Sequence, residues 1–116
     1  MTVTSYKALT QQIAGNLVPL NKAVPQVMQS FAEMGKAANK NGALDHKTKE
    51  LIALAIGVAV RCDGCIGFHT KALAKLGATP EEVHETLGVA VYMGGGPSVM
   101  YAANAVAAFN EFTDAG

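Results

Sequence analysis

Apolar residues recur at helical spacing through most of the chain, as in Tyr6, Leu9, Ile13 and Leu17, and again in Val24, Val27, Met28, Phe31 and Met34. No segment alternates as a half-buried strand does, so the pattern predicts an all-α chain. Lys36 and Lys40 precede Asn41-Gly42, a basic stretch followed by a pair tolerant of left-handed backbone, which reads as a helix end. Asp45 then suits the N-cap of the next helix. Between Asp45 and about Val60, the residues Leu51, Ile52, Leu54, Ile56, Val58 and Val60 are apolar on every side, which predicts a helix running through the middle of the core.

A further helix is expected to start near Cys62 or Asp63. In it, Cys65, Phe68, His69, Ala72, Leu73 and Leu76 form one stripe, Lys71 and Lys75 face away, and Gly77 closes the element. Thr79-Pro80-Glu81-Glu82 combines a capping hydroxyl, proline at the first helical position and glutamate three residues after the cap. Val83, Leu87, Ala90 and Val91 continue that helix until Gly94-Gly95-Gly96-Pro97 breaks it. The last helix carries Val99, Ala103 and Val106 on one side and Ala102, Ala105, Phe109 and Phe112 on the adjoining side. So wide an apolar face predicts subunit contacts, with a tightly enclosed alanine-rich core helix as the competing reading. The expected architecture is about six helices in a single domain over residues 1–116, with no internal repeat or linker.

The length of 116 residues fits one domain able to bury a core without metal or disulfide staples. Nine lysines and arginines balance nine aspartates and glutamates, so no strong field favours nucleic acid or acidic lipid. A small-molecule or protein partner is expected instead. The longest apolar run, Leu51 to Val60, is about half of the roughly 20 residues that a membrane-spanning helix requires. Residues Met1 to Gly15 are polar and do not resemble a secretory signal, which makes a cytoplasmic location the expectation.

Two cysteines separated by two residues in a reducing compartment point to a redox or metal pair. Cys62-Asp63-Gly64-Cys65 falls where one helix ends and the next begins, where free backbone N–H groups and the helix dipole favour a thiolate. Such a pair can close an intramolecular disulfide and so carry reversible dithiol chemistry. His69 lies one helical turn beyond Cys65 on the same face, suited to take a thiol proton; the alternative is a core histidine bonded to backbone.

Glu50 is harder to place, because an acidic residue near a helix start commonly just complements the dipole. With the chain reversing near Arg61 to Gly64, His69 is expected opposite Ile56 or Gly57. That leaves Glu50 about two turns, on the order of 10 Å, further along, so contact would need side-chain reach or a bridging water. A zinc site on Cys62, Cys65 and His69 lacks a fourth ligand unless Glu50 supplies it, so no metal is expected. No tightly bound cofactor is implied either, because the sulfur pair can itself carry two electrons. His46 and His84 read as solvated surface residues, and Tyr6, Tyr92 and Tyr101 as core or interface packing.

Glu50 with Leu51-Ile52-Ala53-Leu54-Ala55, followed by Cys62-Asp63-Gly64-Cys65-Ile66-Gly67-Phe68-His69, resembles the core motif of the alkylhydroperoxidase D-like proteins in the carboxymuconolactone decarboxylase family. The likeness extends to Leu44-Asp45, to Gly77 through Glu82 and to Met93 through Pro97, covering about residues 44 to 105. It implies the alkylhydroperoxidase D-like helical fold, a homo-oligomer such as a trimer or hexamer, and a proton relay of Glu50, Cys62, Cys65 and His69. In that scheme Cys65 reduces a hydroperoxide or similar small oxidant, His69 and Glu50 move protons, and Cys62 closes the redox-active disulfide. A protein or small-molecule thiol then resets the pair, giving an antioxidant peroxidase. The best-known peroxidase of this family carries an additional histidine where this sequence has Gly64. Decarboxylases of the family generally lack the cysteine pair, which counts against lactone decarboxylation here. The other alternative, a non-enzymatic helical assembly module, would leave both cysteines dispensable.

Overall fold

In a computed structural model, which describes residues 3–114, every regular element is a helix. In chain order they are α1 (Tyr6–Ala23), α2 (Pro25–Ala38), α3 (His46–Ala59), α4 (Asp63–Lys75), α5 (Pro80–Gly94) and α6 (Gly96–Thr113). Their boundaries follow local chemistry. Val24, before Pro25, is held out of the α region and separates α1 from α2. The Asp45 carboxylate accepts from the Thr48 N–H at 2.8 Å, capping α3. Thr79 and Glu82 close a reciprocal capping box on α5, as their spacing predicts.

The turn between α3 and α4 is tight. The Cys62 N–H donates to the Gly57 carbonyl at 2.9 Å and the Arg61 N–H to the Val58 carbonyl at 3.1 Å, with Arg61 itself left-handed at φ 61°. Glycine usually occupies that place, as Gly77 does at φ 78° after α4. The reversal sets α3 and α4 antiparallel. Helix α3 packs against α4 and α5, α6 also lies against both, and α1 crosses α4. Leu54, Val58, Ile66, Leu73, Val83, Ala105 and Phe109 make the buried centre.

Two expectations change. Helix α3 is not enclosed on every side: Leu54, Gly57 and Val58 are buried, but Ile52, Ile56 and Val60 are exposed, because no element among the described residues covers that flank. The buried ridge of α4 is Ile66, Gly67, Thr70 and Leu73, rotated from the predicted stripe, so that Cys65 and His69 sit at its half-buried edge. In α6, Ala102, Ala105, Ala108 and Phe109 are buried, which matches the enclosed alanine-rich reading for that face. The barest helix is α2, which buries none of its residues and packs only on α1.

Candidate active site

Cys62 is the N-cap of α4, and its sulfur accepts a hydrogen bond from the Cys65 N–H at 3.1 Å. A helix start thus presents its free donors to sulfur, the arrangement that favours a thiolate. The two cysteines, with Cα atoms 5.2 Å apart, are joined as a disulfide. Position 64 lies under α1. A Cβ there would meet the Ile13 Cδ1 at 3.0 Å, so a histidine in place of Gly64 would have to displace the Ile13 side chain.

Glu50 and His69 meet directly. The His69 Nδ1 is 2.7 Å from the Glu50 Oε2, a shorter approach than the sequence register suggested. The reason lies at Gly57, where a Cβ would stand only 3.0 Å from the Cys65 Cβ. Gly57 is therefore level with Cys65, which puts His69 level with Ala53 rather than with Ile56 or Gly57. Glu50 is then about one turn away, roughly 4.5 Å along the axis, and two side chains span that readily. The Glu50 side chain is 6% exposed and that of His69 31%, so a buried carboxylate orients a half-buried imidazole one turn from Cys65.

Two participants escaped the sequence reading. His46 is not simply solvated: its Nε2 lies 3.7 Å from the Glu50 Oε1, so the carboxylate stands between two imidazoles. The i, i+4 spacing of His46 and Glu50 was the available signal. Tyr6, 3% exposed, donates its hydroxyl to the Asp63 Oδ1 at 3.2 Å, directly beside Cys62. Burial, with the Asp63 charge and hydrogen bond adding, pushes the Tyr6 phenol up to about 12. No local pattern could have announced a contact across 57 residues. Of the other candidates, Tyr101 is half-buried, His84 is exposed, and Tyr92 is 84% exposed and so not core packing.

The six-helix arrangement, with a cysteine pair opening one helix and a glutamate–histidine contact bridging it to its neighbour, defines a helical dithiol scaffold. The pattern of the carboxymuconolactone decarboxylase family matches residues 25–108, and the chain belongs to that family. Among solved structures, a carboxymuconolactone decarboxylase family protein of Legionella pneumophila in its apo form is 56% identical, over 93% of this chain and 96% of that one, with a TM-score of 0.91. A Thermotoga maritima family member is 30% identical, over 89% of this chain and 91% of its own, at a TM-score of 0.76; involvement in an antioxidative response has been suggested for it. An uncharacterized protein of Cupriavidus necator is 39% identical over 107 residues, 92% of this chain and 95% of that protein.

Proposed function

We propose that this chain is a thiol-dependent peroxidase that reduces a hydroperoxide at Cys65, resolves the product with Cys62 and is reset by an external thiol. The observation that carries the reading is the 2.7 Å contact of Glu50 with His69, one turn from a cysteine pair able to close a disulfide. In the reduced protein, His69 takes the Cys65 thiol proton while Glu50 stabilises the imidazolium. The thiolate attacks the distal peroxide oxygen, the O–O bond breaks, and the alcohol leaves with the proton returned from His69. Cys65 is then a sulfenic acid. The Cys62 sulfur attacks it, water leaves, and the disulfide forms. Two external thiols, on a reductant protein or small molecule, restore the pair and are themselves oxidised to a disulfide.

Membership in the family and the role suggested for the Thermotoga maritima protein support this assignment. The setting we infer is the cytoplasm, where reducing thiols are abundant. A homo-oligomer, trimer or hexamer, accords with the exposed apolar side chains of Val27, Phe31 and Met34 on α2 and of Ile52, Ile56 and Val60 on α3.

The deciding experiment counts free thiols and intact mass of the reduced protein before and after one equivalent of cumene hydroperoxide. The parent should lose both thiols and about two mass units. Glu50→Gln and His69→Ala should slow that loss by about 100-fold or more, the scale of a positioned acid–base group. A parent that keeps both thiols, or variants that react at the parental rate, would sink the proposal.

A further inference from the structure

Asp63 is the residue next to Cys62 and the first of α4, so its charge enters the helix turn that holds both cysteines. A carboxylate there opposes formation of a thiolate, against the help that the helix start provides. Its partner is built with care. Tyr6 is buried, its hydroxyl reaches the Asp63 Oδ1 at 3.2 Å, and its backbone N–H is held by the Glu111 Oε2 at 2.8 Å. The Ser5 hydroxyl and the Lys7 N–H donate to the other Glu111 oxygen at 2.9 and 3.2 Å, so α6 fixes the start of α1 from which Tyr6 projects. Below Tyr6, a Cβ on Gly67 would stand 2.7 Å from the Thr10 Cγ2, so α1 and α4 already lie as close as side chains permit. With its proton held far above neutral pH, the phenol donates throughout the working range.

We propose that Tyr6 is a positioning residue of the dithiol centre: by donating to Asp63 it offsets that carboxylate's charge and turns it toward α1, thereby setting the acidity of the cysteines and the redox balance of their disulfide. The inference rests on the dithiol reading of Cys62 and Cys65. It adds a control of that site from a helix that contributes no reacting atom. His69 lies one turn from Cys65 on α4, Glu50 meets it from α3 with His46 beyond, Arg61 precedes Cys62 in the turn, and Tyr101 and Glu111 approach Tyr6 from α6; none of these is altered by the test.

The full chain, as parent, Tyr6→Phe, Asp63→Asn and the double variant, is equilibrated at pH 8 with reduced and oxidised dithiothreitol. One S–S bond breaks in the protein as one forms in the reagent, with two electrons and two protons passed across. Without its phenol donor, Asp63 weighs more heavily on the thiolate. Tyr6→Phe should therefore lower the equilibrium constant for reduction of the protein by about threefold or more, and move the pH profile of thiol alkylation upward. Asp63→Asn should shift both in the opposite direction. In the Asp63→Asn background, Tyr6→Phe should change neither, because the group it acts through is gone.

Parental values for Tyr6→Phe, or the same shift whether or not Asp63 is charged, would overturn the proposal. Circular dichroism shows whether Tyr6→Phe has folded. If it has not, Asp63→Asn alone decides: an unchanged equilibrium and pH profile would show that the carboxylate has no influence to be tuned. The equilibrium needs no peroxide, so a protein that fails to reduce hydroperoxide can still show Tyr6 tuning, and failure of tuning leaves the peroxidase assay untouched.

Discussion

At Gly57 a single hydrogen decides how closely α3 can approach the cysteine helix. A methyl group there would press on the Cys65 Cβ from 3.0 Å, and neither is the loose end of a flexible chain. We expect Gly57→Ala to destabilise the fold by about 1–3 kcal/mol, read by urea unfolding, despite alanine's better helix propensity. It should also lengthen the Glu50–His69 contact and so slow thiol oxidation. A variant as stable as the parent would show that the two helices are not in limiting contact. The His46 backbone N–H is held by the Asn41 side chain at 2.7 Å, which fixes the start of the helix that carries both His46 and Glu50.

The elements are joined by a few directional contacts. Arg61, left-handed between α3 and α4, occupies a conformation that costs an L-residue about 1–2 kcal/mol and glycine little. After allowing for the greater freedom of glycine in the unfolded chain, Arg61→Gly should raise stability by up to about 1 kcal/mol. A lowered thermal midpoint would instead reveal that the arginine side chain holds the turn. Glu111 clamps α1 to α6. Burial works against its charge, but the N–H groups of Tyr6 and Lys7 and the Ser5 hydroxyl outweigh it, leaving the carboxyl below its ordinary value of 4.5. A depressed carboxyl stabilises the fold above its unfolded value and loses that contribution as pH falls through the folded one. Acid titration below pH 4.5 should thus release α1 before the core melts, seen as faster amide exchange in α1 than in α4. Glu111→Gln should flatten that dependence.

For the whole molecule, the decisive feature is an apolar surface that the described residues leave exposed. Phe31 and Val27 are each 64% exposed and Met34 60%, on a helix none of whose residues is buried. A 14-residue helix is marginal in water unless its apolar face is covered. Between α3 and α5 lies an apolar cleft of about 370 Å³ lined by Thr48, Leu51, Ile52, Ala55, Ile56, Thr86 and Val89. It includes none of Glu50, Cys62, Cys65 and His69. Phe31→Glu should convert the inferred oligomer to smaller species in light scattering while α4 and its disulfide persist. An unchanged mass would place the subunit contacts elsewhere.

Local chemistry was sufficient to read the helices, the caps at Asp45 and Thr79, and the cysteine pair at the start of α4, because each depends on residues within a turn or two of one another. It also singled out His69 beside the cysteine pair, whereas Glu50 was selected only by the resemblance of its motif, because an acidic residue near a helix start commonly just complements the dipole. What it could not supply was register. The level of His69 against Glu50 follows from where the chain reverses at Arg61 and from how far Gly57 lets two helices close, and neither has a periodic signature. The approach of Tyr6 to Asp63 and the solvent-facing flank of α3 likewise follow from which elements pack together. Burial depends on neighbours distant in the chain, and only the tertiary structure names them.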